Sequence, residues 1–544
     1  MARRLAAAVV MLVAGLGLLV AAVGADAHGE SRKGGTLRLA TFDEAGVSLD
    51  TGLAYANWAW VPIHATCAKL FTLDDAGADG LRVVPEVVDD LDVSRDRRTY
   101  TFALKQSFRF STGARVTARS FADAFDRNAR PGLKSPAADY MREIVGVEAV
   151  SKGAAGSVSG VRVLGRFRLQ IRLTRPVGDF TARLTMPLFC PVPAGTPPSE
   201  VEYLAGSGPY YVFDRVRNRQ FVLKRNPYYR GDRPANVDEV VWRTAVPREA
   251  CLAAVQQDLL DHCVHLSTPL AAWRPLAEQY GINKGRLFRG RGRTTFFLVF
   301  NHDRPAFRGR GQIPLKKAIN FAIDRPALTR EAGYLAGSRT DQLLPPALGA
   351  RAESIYPLGG SNIAAAGRLL RQARFQPPKL VLYASNSSTQ VAWAQSVAFD
   401  LGRLGIDIEV KYFDVGVLVE RIGTRGEPFD IAFNGWAADY ADGGGFLEPI
   451  LNGKDLGPMG STGNINTSYF DDPEANVRIE AASRLTGEAA RREAWADLDV
   501  DLMRNNPPVA PILHSNTRAF VSKSFGCFSM HPFYGVDIAA ACKK

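Results

Sequence analysis

A chain of 544 residues is longer than one hydrophobic core organises, which points to two or three lobes. Hydrophobic residues at 46% and charged ones at 22%, with no low-complexity tract and no internal repeat, exclude a disordered chain, a solenoid and a propeller. The formal charge of +12 comes from 67 Lys and Arg against 55 Asp and Glu, scattered rather than gathered on one helix. That spread argues against a nucleic-acid partner and leaves attraction to an anionic envelope surface.

Residues 1–27 read as an export signal. Arg3 and Arg4 precede an uncharged run over residues 5–25, and Ala25-Asp26-Ala27 gives the small-x-small pattern of a cleavage site. At ~1.5 Å per residue the run also reaches the ~30 Å of a hydrocarbon core, so an uncleaved N-terminal anchor is the alternative. The first cysteine is Cys67, so no lipid-anchoring cysteine follows the leader. No later apolar run has membrane-spanning length, and the remaining chain, at +11, is expected outside the cytoplasm.

The mature chain opens with a strand over residues 34–40. Alternating apolar positions predict strands over 99–104 and 108–110, with a Ser-Thr-Gly turn after them, and one strand over 165–173. Residues 117–127 read as a capped helix with Phe121 and Phe125 on one face. The arginine clusters at 286–293 and 307–311 read as solvated loops flanking a strand over 295–300. Helices follow over 315–323, 363–373 and 391–404, with strands over 380–383 and 406–410, a rhythm that predicts a mostly parallel sheet. A mixed first half and an α/β second half imply two lobes with a cleft between them.

Residues 429–442 carry the strongest functional signal. A short apolar strand runs into a loop with a glycine, two aromatics and two carboxylates, where open α/β sheets hold ligands. Asp439 offers a negative charge to a ligand cation, Trp436 and Tyr440 offer π faces, and Asn434 is a further candidate. The run Gly443-Gly444-Gly445 predicts a pliable rim beside them.

Six cysteines in an exported chain suggest disulfides among Cys67, Cys190, Cys251, Cys263, Cys527 and Cys542. Six cysteines allow 15 pairings, and loop closure favours Cys527 with Cys542 and Cys251 with Cys263, leaving Cys67 with Cys190. One straight helix would hold 251 and 263 ~18 Å apart, so the helix there must end near Asp258. The cluster His262-Cys263-Val264-His265 is the one metal-like spacing, and a disulfide explains its cysteine more simply than zinc does. No nucleophile elbow, zincin motif or phosphate loop is present, so the sequence offers no catalytic reading.

Taken in order, Gly34-Gly35-Thr36-Leu37, Phe108-Arg109-Phe110-Ser111-Thr112-Gly113, Gly206-Ser207-Gly208-Pro209-Tyr210-Tyr211, Arg225-Asn226-Pro227-Tyr228-Tyr229, residues 315–325, Gly435-Trp436-Ala437-Ala438-Asp439-Tyr440 and Tyr469-Phe470-Asp471-Asp472-Pro473 form a pattern. With it the chain resembles the large extracytoplasmic solute-binding proteins of ABC transporters, the peptide/nickel group that includes the oligopeptide- and dipeptide-binding proteins. The resemblance runs from about Gly34 to the C-terminus. It implies an α/β, two-lobe periplasmic-binding-protein-like fold with an inserted subdomain in the first lobe and a hinge between lobes. The first lobe would comprise residues 34–75, 196–290 and 514–544, with the subdomain at 76–195. The second lobe would be 291–513, with crossings near Gly290 and His514.

The same resemblance implies a monomeric binder without cofactor or metal. It would take a peptide or other small-molecule ligand and deliver it to the transmembrane subunits of an ABC permease, at the periplasm or the outer face of the cytoplasmic membrane. In peptide-binding members the loop aspartate takes the α-ammonium group, and by position that is Asp439. Tyr55, Asn57 and Trp58 follow the first strand in a loop that faces the cleft in relatives. Where many relatives continue with Asp-Pro, this chain has Gly443 after Asp442, and no arginine for a ligand carboxylate is placed by motif, so peptide length stays open. A sugar, a metal chelate, a sensor without a permease and, last, a secreted peptidase are the competing readings.

Overall fold

The computed structural model describes residues 33–42, 48–55, 58–74, 82–264 and 268–544. The leader at 1–27, Asn57 and His265 lie outside them. The first sheet has five strands in the order His262–Cys263, Thr36–Ala40, Glu239–Arg243, Gln220–Arg225, Tyr210–Val216. Thr36–Ala40 lies parallel to both neighbours. Its alternation sends Leu37 and Leu39 into a core with Leu223, Val240 and Trp242, while Arg38 turns out to meet Asp261 at 3.0 Å.

A four-stranded antiparallel sheet follows, in the order Val88–Val93, Thr99–Leu104, Arg168–Arg172, Val161–Gly165. Helix Ala118–Ala129 packs on it with Phe121 and Phe125 buried, and a reciprocal Thr117–Ser120 capping box satisfies its first orphan donors. Two sequence expectations need correction here. Residues 165–173 are not one strand, because the chain reverses at Arg166-Phe167 and pairs Val161–Gly165 against Arg168–Arg172. Residues 108–110 make a single bridge, Arg109 with Arg115, in place of a strand.

The second sheet has six strands in the order Gly337–Arg339, Val509–Phe520, Leu287–Phe300, Ile431–Ala437, Lys379–Ser385, Asp407–Phe413. Parallel pairing is confined to Lys379–Ser385 and its two neighbours, and the other three pairings are antiparallel. The mostly parallel expectation therefore fails. Helix Ser388–Gly402 does link two parallel strands, but the centre of the sheet is filled by long strands that run against their neighbours.

Those central strands, Leu287–Phe300 and Val509–Phe520, pair from Leu287 with Phe520 to Val299 with Val509. Close to Leu287, the bridge between His262 and Val521 joins them to the first sheet. The cluster at 286–293 is thus mostly strand and not solvated loop. Arg289 and Arg291 are exposed, but a register shift between Arg291 and Thr295 turns the next odd positions inward, so Arg293, Thr295 and Phe297 are buried.

All three disulfides form, Cys67–Cys190, Cys251–Cys263 and Cys527–Cys542. The second is reachable because helix Arg248–Gln256 ends before Asp258, whose φ of 64° turns the chain back and brings the two Cα atoms to 6.1 Å. One continuous core joins Trp60, Phe102 and Phe121 to Phe297, Phe446 and Trp495, so the four-stranded subdomain and the second sheet's lobe are in contact.

Candidate functional site

Strand Ile431–Ala437 enters the second sheet through the buried run Ile431-Ala432-Phe433 and delivers Ala438-Asp439 to the seam between lobes. Thr294 pairs with Ala437. Beyond the last rung, the Ala438 amide donates to the Arg293 carbonyl at 3.1 Å. Asp439 is 7% exposed, and the Tyr140 hydroxyl donates to its Oδ2 at 2.7 Å. The Tyr55 and Tyr140 hydroxyls lie 2.9 Å apart.

Each partner is held from its own part of the chain. Tyr140 ends the short helix Ala137–Tyr140 of the four-stranded subdomain. Tyr55 follows a turn fixed by Asp50, whose carboxylate accepts from Arg127 Nη1 at 2.7 Å and Nη2 at 2.6 Å and from the Gly52 amide at 3.0 Å. Trp60 Nε1 donates to the Ala54 carbonyl at 2.8 Å and so pins the residue before Tyr55. Arg293 Nη1 donates to the Ala438 carbonyl, and its guanidinium lies 5.0 Å from the Trp60 ring and 4.8 Å from the Phe533 ring.

Burial raises the Asp439 carboxyl to about 6, against the opposing pull of the Tyr140 hydroxyl, the Arg293 charge and the Tyr55 hydroxyl. Burial lowers Arg293 to about 10, against Asp439 and the tyrosines, so it stays cationic at neutral pH. Burial and Asp439 push both Tyr55 and Tyr140 upward, so their hydroxyls remain protonated donors rather than nucleophiles. A carboxylate, a guanidinium and two hydroxyls thus lie together among aromatic rings, a set able to hold a charged group.

Tyr440 turns away from this group toward a second, ionic cluster. Its hydroxyl donates to Asp179 Oδ2 at 2.6 Å, and its ring meets Tyr140 edge-on at 6.2 Å. Arg183 reaches Asp179 at 3.0 Å, Glu143 at 2.9 Å and Glu448 at 3.8 Å. Burial raises Glu448 to about 7 despite Arg183 beside it. This cluster lies on the contact between the four-stranded subdomain and the second sheet's lobe.

The glycine run is not the pliable rim expected from sequence. Gly444 opens helix Gly444–Leu451, and a Cβ would lie 2.7 Å from Trp495 at Gly443 and 3.0 Å from the Tyr440 ring at Gly445. These glycines permit close packing. Asp442, just before the helix, accepts from the Gly444 amide at 2.9 Å and from Arg491 Nε at 2.7 Å.

Of the sequence candidates, the structure brings Asp439 and Tyr55 together, with Tyr440 alongside. Asn434 Nδ2 donates to Thr467 at 3.0 Å and Trp436 Nε1 to the Gly445 carbonyl at 3.2 Å, both within their own lobe. Trp58 is half-buried against the core of the first sheet, and Asn57 lies outside the described residues. Tyr140, Arg293 and Phe533 were not legible as a site. Tyr140 sits on a four-residue helix without periodicity, and Arg293 is masked by the arginines around it. The zinc-like spacing dissolves, since Cys263 is bonded to Cys251 and His262 Nδ1 contacts the Phe520 carbonyl at 2.9 Å. Among the described residues no group of three or more His, Cys, Asp or Glu could hold a metal.

Residues 82–457 match the family described as bacterial extracellular solute-binding proteins, family 5 middle, a span that includes Tyr140, Arg293 and Asp439. The chain is 23% identical over 458 residues to the periplasmic oligopeptide-binding protein OppA of Escherichia coli strain K12, covering 80% of each. It is 23% identical over 499 residues to the heme-binding protein A of Haemophilus influenzae strain Rd, covering 84% of each. Among solved structures, the clavulanic acid biosynthesis oligopeptide binding protein 2 superposes with a TM-score of 0.84 at 25% identity, over 94% of this chain and 96% of that one.

Proposed function

Since the chain belongs to the bacterial extracellular solute-binding proteins of family 5, we propose that it captures a peptide in the cleft between its lobes and delivers it to the permease of an ABC importer. Two of the three relatives named above are oligopeptide-binding by name, which supports peptide over other cargo. The observation that carries the reading is Asp439, a buried carboxylate at the seam where three parts of the chain meet. An ammonium group loses its hydration in a closed cleft, and a fixed, hydrogen-bonded anion replaces that water.

Closure by hinge motion fits this placement, with lobe I as 34–75, 196–290 and 514–544 around the 76–195 subdomain, and lobe II as 291–513. The paired strands through Gly290 and His514 then form the hinge. Tyr440, Trp436 and Asn434 would line or back the cleft from one side, and Tyr55 and Trp58 from the other. Delivery takes place outside the cytoplasmic membrane, with the protein as a monomer.

The test begins with mass spectrometry of whatever the native protein carries through purification. Removing one partner of a buried charge pair typically costs ~2–5 kcal/mol, so Asp439→Ala should weaken that ligand by roughly 30-fold or more. Acetylating the ligand's amine should weaken the wild type similarly and hardly affect the variant. Equal binding by Asp439→Ala and wild type would remove the ammonium-anchor role.

A further inference from the structure

The outer face of the four-stranded subdomain sheet carries an arrangement that ligand capture does not use. The inner face is buried, with Phe102, Leu169 and Ile171 in the core. On the outer face, Arg168 and Arg172 stand on one strand on either side of Gln170, and Arg162 lies opposite Gln170 on the edge strand Val161–Gly165. Arg166 sits in the turn between these strands, its guanidinium 5.6 Å from the Phe167 ring. All four arginines are exposed, and among the described residues none of them forms an ion pair.

Folding does not call for this set. Diagonal neighbours on adjacent strands lie ~7–8 Å apart, so Arg162 meets Arg168 and Arg172 at once, and the like charges repel. A charge on an edge strand blocks pairing with another chain, which accounts for Arg162. It does not account for Arg168 and Arg172, whose strand is paired on both sides. The acids of the same face, Asp90 and Asp92, stand on Val88–Val93, beyond Ala103 and Thr101 and so about 10 Å from the arginine strand. The face is thus split into a basic half at the free edge and an acidic half away from it.

The edge is shaped as well as charged. A register shift between Val163 and Gly165 puts Leu164 outside the ladder, and it is 50% exposed two residues from Arg166. Arg168 and Arg172 span ~13 Å of strand, so the guanidinium groups are spread over a flat surface and not gathered around a pocket. That geometry suits anions presented on a plane, with one apolar side chain at the rim. We propose that this edge of the subdomain docks the protein on an anionic phospholipid surface, the arginines meeting headgroup phosphates and Leu164 entering the interface. The same surface repels Asp90 and Asp92, which tilts the sheet and brings the Val161–Gly165 edge closest to the lipid.

The experiment is sedimentation of the exported protein with vesicles of phosphatidylglycerol and phosphatidylcholine, against vesicles of phosphatidylcholine alone. Wild type should bind the anionic vesicles preferentially and release them as salt is raised from about 0.05 M to about 0.5 M. Changing Arg162, Arg166, Arg168 and Arg172 to Gln should weaken that binding ~100-fold, at roughly fivefold per arginine. Changing Arg219, Arg289, Arg368 and Arg371 to Gln removes the same charge from other exposed positions and should leave binding within about fivefold of wild type. The first variant should melt no lower than wild type, because it relieves repulsion. The inference is overturned if wild type binds both vesicles alike, if the two variants lose binding equally, or if the first variant melts markedly lower, which would make the arginines part of the sheet's own stability. Binding to polyglutamate as strong as to the anionic vesicles would also overturn it, in favour of an acidic protein partner. No ligand is needed, so failure here would leave the proposed capture at Asp439 standing.

Discussion

At the residue scale, Asp439 is buried, and that carries a cost. Its carboxyl is raised from 3.8 to about 6. A carboxyl raised in the folded state binds its proton more tightly there than in the unfolded chain. Its charge therefore costs stability above about pH 6, and the cost fades as pH falls through 6 toward 4. A shift of roughly two units corresponds to about 3 kcal/mol. With the lobes together, Asp439→Asn should then raise the melting temperature by a few degrees at pH 7.5, and by only about a third as much at pH 4.5. Scanning calorimetry at the two pH values reads this directly. A variant that melts lower than wild type at pH 7.5 would mean that Tyr140 and Arg293 more than offset the burial. Asp439 was legible because a strand, a glycine and aromatics flank it in sequence. Tyr140 and Arg293 were not, since they come from 299 and 146 residues away and no local pattern marks them.

At the element scale, the legible parts are those whose pattern is local. The helix over 117–127 announced itself by Thr117 and by Phe121 and Phe125 four apart, and it is found as Ala118–Ala129. The readings of 165–173 as one strand and of 286–293 as a loop failed for different reasons, while the strand expected over 295–300 is there. Alternation survives a two-residue turn in the first, and arginines on an exposed strand face look like a loop in the second. The glycine run failed differently, because a glycine's freedom and a glycine's close packing look the same in sequence. Gly443→Ala would set a Cβ 2.7 Å from Trp495, in a core residue with no room to move. Overpacking of this kind typically costs ~1–3 kcal/mol. Gly443→Ala should lower the denaturation midpoint accordingly. Gly416→Ala, in helix Val415–Ile422 with nothing within 4 Å of the new methyl, should leave it unchanged or slightly raised. Equal behaviour of the two would refute the packing role.

At the scale of the whole molecule, the proposed closing of the lobes would assemble two things together, the group around Asp439 and the ionic seam beside it. The adjacent residue Tyr440 joins them through its 2.6 Å bond to Asp179. Farther along the seam, the Gly178 amide donates to the Ser483 carbonyl at 3.0 Å, Arg175 reaches Ser483 Oγ at 3.3 Å, and Arg142 meets Asp455 at 2.7 Å. A Cβ on Gly178 would fall 1.9 Å from the Leu485 carbonyl oxygen, backbone that cannot step aside without separating the two surfaces. Gly178→Ala should thus act on closure rather than on either lobe. If the substitution disfavours the closed form by about 1–3 kcal/mol, the apparent affinity for the copurified ligand falls by the population of that form, roughly 5- to 150-fold. Small-angle scattering should show the wild type contracting when ligand is added, and the variant contracting less at the same ligand concentration. The ligand-free melting temperature should stay near that of wild type, since the contact is one the open form does not use. A variant that binds and contracts like wild type would show that the seam at Gly178 yields, and that closure is decided elsewhere.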